Sequence, residues 1–112
     1  MKGIRTTDLK IGTGAIAAKG LKVVVRYDCY LPRGDRCEVG SLFIHVGGDR
    51  NTFPAITHGI EGMAMGGVRR IKVSPNLAYY ERAKHPEIPE AAELTYEVTL
   101  LSVWDAAGLN RL

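Results

Sequence analysis

The sequence predicts an α+β fold in which several antiparallel strands are covered by one short helix. Residues 94–100 alternate between apolar and polar side chains, which is the pattern of a half-buried strand. Other segments rich in β-branched and aromatic residues end at glycine or proline turns. One segment has helical spacing, and it is too short to connect two parallel strands, so antiparallel pairing is expected.

The first half of the chain contains the strands that precede the helix. Residues 8–14 predict a short strand that runs into a glycine turn. Residues 21–31, which read LKVVVRYDCYL, predict a longer strand. The turn at residues 32–35 reverses the chain, so we expect residues 36–39 to pair back. Residues 42–46, LFIHV, predict another strand that stops at two glycines.

The second half contains the helix and two further strands. Thr57 can cap a short helix that extends through Met65 and ends at a pair of glycines. Apolar residues recur through it at about helical spacing, which gives the helix one apolar face. Residues 68–73 predict one strand and residues 94–100 the next. The apolar face of the sheet needs cover, and this helix is the element available to provide it.

Composition excludes several classes of function. A chain of 112 residues can bury a core without disulfide or metal staples. No apolar run approaches the roughly 20 residues that span a bilayer, so no membrane partner is expected. The formal net charge of +3 is too mild to favour nucleic acid as a partner. The start of the sequence lacks the apolar segment of a signal peptide, so we expect a cytoplasmic protein.

The reactive side chains do not form a familiar hydrolytic or metal site. Cys29 and Cys37 flank a turn, and in a hairpin with an even-length loop two odd-numbered positions face opposite sides of the sheet. A disulfide between them therefore requires a bulge, and reduced thiols are expected. The three histidines lack close ligand spacing, so no metal is expected. No serine lies in a G-x-S-x-G context, which argues against a hydrolase.

Two long segments carry a more specific signal. They are DLKIGTGAIAAKGLKVVVRYDCYLPRGD and ITHGIEGMAMGGVRRIKVSPNLAYYERAKHPEIPEAAELTYEVTLLSV. The succession G-M-x-x-G-G-x-R-R, S-P-x-L-A-Y, I-P and L-x-(Y/F)-x-V-x-L-L resembles the FKBP family of peptidyl-prolyl cis-trans isomerases over about residues 7–103. The resemblance implies one domain over residues 1–112, with residues 104–112 as a C-terminal tail. It also implies five or six antiparallel strands wrapped around the helix, with a pocket between helix and sheet.

The activity that the resemblance implies is isomerisation of X-Pro bonds in peptides and unfolded proteins, without a cofactor. It assigns catalytic roles to Tyr27, Glu38 and Tyr79. Tyr27 would wall the pocket and offer its hydroxyl to an acidic partner, and Glu38 stands where the family usually has aspartate. Tyr79 would donate its hydroxyl to a ligand carbonyl. The alternatives are a core tyrosine for Tyr27 and a solvated strand-end charge for Glu38.

The resemblance also implies a set of substrate-binding residues. They are Cys37, Phe43, Phe53, Ile56, His85, Ile88 and Tyr96. Ile88 would cap the pocket and Tyr96 would lie on its inner strand, although both could be plain core residues. Phe43 matches another pocket aromatic, Phe53 would offer its backbone N–H to the substrate, and His85 would contact the rim.

The sequence departs from the family at the pocket itself. Ile56 replaces the usual tryptophan of the pocket floor, Cys37 replaces a phenylalanine, and Tyr80 replaces a glycine. The pocket stays apolar but loses aromatic area, so we expect reduced isomerase activity and weak macrolide binding. The alternative function is a catalytically weak FKBP-like module that binds peptides or proteins. A basic adaptor that contacts nucleic acid is a third, less favoured reading.

One basic cluster was assigned no function. Arg69, Arg70 and Lys72 lie on the strand predicted at residues 68–73. Charged residues on a strand are expected on a solvated face rather than in a phosphate-binding patch.

Overall fold

The computed structural model describes residues 3–48, 54–78, 88–89 and 91–112. Within these ranges the chain forms a five-stranded sheet in the order β1-β4-β5-β2-β3, and every pairing is antiparallel. The strands are β1 (Ile4–Lys10), β2 (Lys22–Tyr30), β3 (Arg36–His45), β4 (Val68–Val73) and β5 (Leu94–Trp104). The helices are α1 (Pro54–Gly59) and a single 3-10 turn at Pro75–Leu77.

Strand β5 lies at the centre of the sheet between β4 and β2. Its side chains alternate between buried and half-buried positions from Leu94 to Leu100, because one face of the strand packs on the core. This confirms the predicted alternation, and the strand continues to Trp104. Strand β4 has the predicted bounds, Val68–Val73, and β2 agrees with its prediction to within one residue at each end.

Two predicted boundaries were wrong. Residues 36–39 and 42–46 belong to one strand, β3, which continues through Gly40 and Ser41 because both remain paired with β2. The helix occupies Pro54–Gly59 rather than extending from Thr57 to Met65. Thr57 lies inside it, where its hydroxyl donates to the Pro54 carbonyl at 3.2 Å.

A third difference concerns the start of the fold. Strand β1 begins at Ile4, before the predicted residue 8, because residues 4–8 pair continuously with β4. The glycine turn that follows is held by Thr13 and Gly14, whose backbone N–H groups donate to the Met65 carbonyl at 3.2 and 3.3 Å.

The last eight residues fold back onto β5. Arg111 forms a bridge with Trp104, and the Leu112 N–H donates to the Val103 carbonyl at 2.8 Å. The turn is closed by Asp105, whose carboxylate accepts from the Asn110 side chain at 2.7 Å and from the Leu109 backbone N–H at 2.9 Å. These hydrogen bonds, the one from Asn110 foremost, lower the pKa of Asp105 because they stabilise its ionised form.

Among the described residues, no helix has the length and apolar character needed to cross a membrane.

Candidate functional site

One wall of the candidate site is formed by the core-facing side chains of β2, β3 and β5. Cys29 of β2 is paired with Tyr96 of β5 on one side and with Glu38 of β3 on the other. Paired residues project from the same face of a sheet, and so do residues two apart along a strand. Tyr27, Cys29, Glu38 and Tyr96 therefore share one face. The Tyr27 and Tyr96 rings meet edge to face, with centroids 5.9 Å apart and planes at 66°.

A glycine on β3 makes room for the Tyr27 ring. Gly40 is the β3 partner of Tyr27, and a Cβ at this position would lie 3.2 Å from both the ring carbon Cε1 and the hydroxyl oxygen of Tyr27. A larger residue would therefore displace the ring. Because the sequence prediction ended a strand before Gly40, it missed this residue. The pairing register of β2 and β3, which sets Gly40 opposite Tyr27, is the signal that could have identified Gly40.

The helix and the segment before β5 contribute two further buried residues. Ile56 of α1 is completely buried, and Ile88 is 3% exposed. Both belong to the apolar core that also contains Tyr27 and Tyr96, whose rings are in contact. Since all four are buried, a ligand can contact them only when the groups that cover them are displaced.

Close packing fixes α1 against the sheet. A Cβ on Gly59, the last residue of α1, would lie 2.6 Å from Cδ1 of Ile71 on β4. Glycine therefore allows the helix end to approach β4 closely. Ile71 is itself paired with Tyr96, so the helix end packs beside the strand pair that carries Tyr96.

Arg69 of β4 joins the same helix end to the sheet. Its Nη1 donates to the Gly59 and Glu61 carbonyls, each at 2.9 Å, and its Nε donates to Asp8 Oδ1 at 2.7 Å. A cation is favoured beside the carbonyls at the C-terminus of a helix. The expectation of a solvated side chain was wrong for Arg69, which is 12% exposed because its partner on β5, Val98, faces the core.

The prediction of a solvated face fits the two other basic residues of this strand. Arg70 points to the opposite face of the sheet, where its guanidinium lies 3.6 Å from the Glu97 carboxylate and its side chain is 42% exposed. Lys72 is also exposed.

A bulge shapes the β3 end of the wall. The register between β2 and β3 shifts after Cys29, which leaves Cys37 as the extra residue between Arg36 and Glu38. Cys37 is half-buried, and its Sγ lies 3.4 Å from the carbonyl oxygen of Cys29. The sequence prediction did not include Cys29 in the site, although its position two residues after Tyr27 places it there.

Phe43 does not belong to this group, contrary to the prediction. It is paired with Val24 on the opposite face of the sheet, because the core-facing positions of β3 are the even-numbered ones. Its ring is 46% exposed and meets Trp104 edge to face at 6.1 Å. The ammonium group of Lys22 lies 4.4 Å from the centroid of the Phe43 ring.

Four further residues named in the predictions lie outside the described residues. They are Phe53, Tyr79, Tyr80 and His85. The roles assigned to them stay predictions.

Two cavities open beside the apolar core. One, of about 200 Å³, is lined in part by Ile11, Ile16 and Arg69 near the glycine turn. The other, of about 320 Å³, is lined by Leu31, Pro32, Arg33, Pro89, Ala91 and Ala92. Among the residues the structure describes, no three His, Cys, Asp or Glu side chains gather as metal ligands would.

Comparison with known proteins adds independent findings. The profile of a family described as "FKBP-type peptidyl-prolyl cis-trans isomerase" matches residues 14–101. FK506-binding protein 3 of Candida albicans is 38% identical over 104 residues, which is 90% of this chain and 24% of the relative. The chain thus spans about a quarter of the length of the curated relatives it matches first.

Solved structures agree with the fold. The N-terminal domain of FKBP42 from Arabidopsis thaliana has a TM-score of 0.76 at 20% identity, and the alignment covers 92% of this chain and 87% of that domain. A peptidyl-prolyl cis-trans isomerase of Pseudomonas syringae has a TM-score of 0.73 at 25% identity, with 91% and 76% of the two chains covered.

Proposed function

Because the chain belongs to the family of FKBP-type peptidyl-prolyl cis-trans isomerases, we propose that it catalyses rotation about X-Pro bonds in peptides and unfolded proteins. The observation that carries the proposal is the buried cluster of Tyr27, Ile56, Ile88 and Tyr96. It is apolar, it contains a close pair of aromatic rings, and it lies between the helix and the sheet. A prolyl ring is an apolar group of the kind that such a site accommodates.

The chemistry requires no nucleophile and no proton transfer. Rotation about the imide bond breaks amide resonance, which gives a barrier of roughly 18–20 kcal/mol. The catalyst has only to bind the twisted form better than the planar one. The twisted carbonyl is less polar, so a water-poor apolar site favours it relative to the planar form. Lowering the barrier by about 1.4 kcal/mol accelerates the reaction tenfold.

Each residue of the site has a proposed role in this scheme. Tyr27 and Tyr96 wall the prolyl ring, Ile56 lies beneath it and Ile88 caps it. Glu38 serves as the acidic partner of the site, since its position opposite Cys29 places it on the same face as Tyr27.

Three further roles are proposed on the family resemblance alone. Tyr79 donates its hydroxyl to a substrate carbonyl, Phe53 offers its backbone N–H to the substrate, and His85 contacts it at the rim.

Reduced activity is part of the proposal. Ile56 provides less surface for the prolyl ring than the usual tryptophan, and Cys37 provides less than a phenylalanine. Because the cluster is buried, substrate binding must also supply the free energy that opens the cluster. The name of the Candida albicans relative states that it binds FK506. We propose that this chain binds such macrolides weakly. The reduced thiols suit a cytoplasmic location.

The test is an isomerisation assay on a peptide with a single X-Pro bond, with Tyr27→Phe and Tyr30→Phe compared to the wild type. Losing one hydrogen bond of about 0.5–1.5 kcal/mol should lower kcat/KM about 2- to 10-fold for Tyr27→Phe. Tyr30 is the matched control, because it lies on the same strand but projects from the opposite face. Equal activity of the two variants would exclude a catalytic role for the Tyr27 hydroxyl, since phenylalanine keeps the ring that walls the site.

A binding module without turnover is the second candidate function. The replacements Ile56 and Cys37 favour it, because they change the floor and wall while keeping the site apolar. Saturable binding of the proline peptide without acceleration of its isomerisation would select this alternative.

A further inference from the structure

The bulge in β3 removes the geometric objection to a bond between the two cysteines. In a regular hairpin with an even-length loop, residues 29 and 37 would face opposite sides of the sheet. Here the pairing passes from Cys29 with Glu38 to Tyr30 with Arg36, so Cys37 is the additional residue of the bulge. A bulge sets two residues of one strand opposite one residue of its partner.

The strand register also places the two cysteines near each other. Paired residues of antiparallel strands have Cα atoms about 4.5–5.5 Å apart, and disulfides form at Cα separations of about 4.4–6.8 Å. Cys37 directly precedes the residue paired with Cys29, and its sulfur already lies 3.4 Å from the Cys29 carbonyl oxygen. The sequence contains no third cysteine that could compete for a disulfide with either one.

We propose that Cys29 and Cys37 are a redox-sensitive pair that closes reversibly into a disulfide in the wall of the candidate site. Their exposures suit the two steps of such a reaction. Cys37 is half-buried and can meet an oxidant from solvent, whereas Cys29 is completely buried beside it and acts as the resolving thiol.

The reaction with a peroxide balances as follows. The Cys37 thiolate attacks one peroxide oxygen, the O–O bond breaks, and Cys37 becomes a sulfenic acid while the first water leaves. The Cys29 thiolate then attacks the Cys37 sulfur, the S–S bond forms, and hydroxide leaves and is protonated to the second water. Two thiols lose two electrons and two protons in total, and the peroxide is reduced. A dithiol reductant reverses the change by thiol–disulfide exchange.

The position of Cys29 makes this bond relevant to the site. Cys29 lies between Tyr96 and Glu38 and two residues from Tyr27. A disulfide draws the bulge toward β2 and shifts Glu38, which directly follows Cys37. This consequence rests on the proposed function, because it assumes that Glu38 and Tyr27 contact the substrate. A displacement of about 1 Å at a positioned group can reduce catalysis up to about 100-fold, so we expect a loss of about tenfold in kcat/KM.

The experiment treats the full chain with excess hydrogen peroxide and then with dithiothreitol. Three variants, Cys37→Ser, Cys29→Ala and the double variant, are treated in parallel. Intact mass and peptide mapping report the disulfide. Backbone amide NMR shifts of Tyr27, Glu38 and Tyr96 report the site, and the isomerisation assay reports activity. Each variant is compared with itself before and after oxidation, so basal differences between variants do not enter.

The proposal expects the wild type to lose two hydrogens and gain an intramolecular link between residues 29 and 37. It also expects shifted amides at the three reporter residues and about tenfold lower kcat/KM, with all changes reversed by dithiothreitol. No variant should show this reversible loss. Retained thiols, a link between chains, or oxidation of Cys37 to sulfinic acid would overturn the proposal, as would a disulfide that leaves the reporter amides unchanged.

The mass and NMR readouts need no enzymatic activity. A reduced wild type that lacks isomerase activity would therefore refute the proposed function, while the same experiment would still decide whether the redox pair exists.

Discussion

Replacing Arg69 with methionine should destabilise the protein far more than the same change at Arg70. The Arg69 side chain is 12% exposed and donates to three acceptors on two other segments of the chain. Methionine keeps much of the aliphatic stem of arginine but provides no donor. The substitution therefore isolates the hydrogen bonds that join α1 and β1 to β4.

The size of the loss in unfolding free energy depends on which of the three acceptors water can reach once the guanidinium is removed. Glu61 and Asp8 are exposed, so their oxygens can be rehydrated. Gly59 is buried, and leaving its carbonyl unpaired costs about 1–3 kcal/mol. The ion pair with Asp8, whose side chain is 38% exposed, adds about 0.2–1 kcal/mol. The expected loss is therefore about 1–4 kcal/mol in the free energy of unfolding.

Urea denaturation followed by Trp104 fluorescence measures this loss. With a slope of about 1–3 kcal/mol per molar urea, the midpoint for Arg69→Met should fall by about 1 M. Arg70→Met is the matched control. Its guanidinium is 3.6 Å from Glu97 and 42% exposed, so it should lose less than about 1 kcal/mol. Equal midpoints for the two variants would refute the view that Arg69 anchors the helix.

Two further predictions concern packing and pH. Gly59→Ala should destabilise the protein by about 1–3 kcal/mol because the new methyl overlaps Ile71, whereas Gly48→Ala meets open space and should change the urea midpoint little. The pKa of Asp105 is lowered in the folded chain, so its stabilisation of the C-terminal turn is present above about pH 4 and is lost as the pH falls through the lowered value. NMR titration of the Leu109 amide should follow this loss, and Asp105→Asn should abolish the titration; an unchanged titration curve in that variant would contradict the assignment.

The sequence predicted strands β4 and β5 well. One face of each strand packs on the core, and this is why the sequence indicated strands at Val68–Val73 and from Leu94 onward. The helix was placed too late, because its apolar positions continue past Gly59 although the helix does not. Gly62, which has a φ of +87°, lies within the predicted span, and this conformation is incompatible with a continuing α-helix.

The residues of the site could be predicted where the sequence motif and the alternation of strand faces agree. They were harder to predict where a β-bulge interrupts that alternation. Tyr27 and Tyr96 could be placed on one face from the strand pattern. Phe43 lies on the opposite face because the alternation of LFIHV turns Leu42 and Ile44 toward the core. The proximity of Cys37 to Cys29 depends on one extra residue in β3, and strand periodicity carries no signal for it.

Exchange NMR on a short peptide with one X-Pro bond, in the presence of a substoichiometric amount of the protein, tests the central claim most directly. The account predicts that cis–trans exchange accelerates without any change in the cis:trans ratio. It also predicts that the Tyr27 and Tyr96 resonances shift as the peptide is added. Unaltered exchange at peptide concentrations that saturate those shifts would contradict catalysis by the buried apolar cluster.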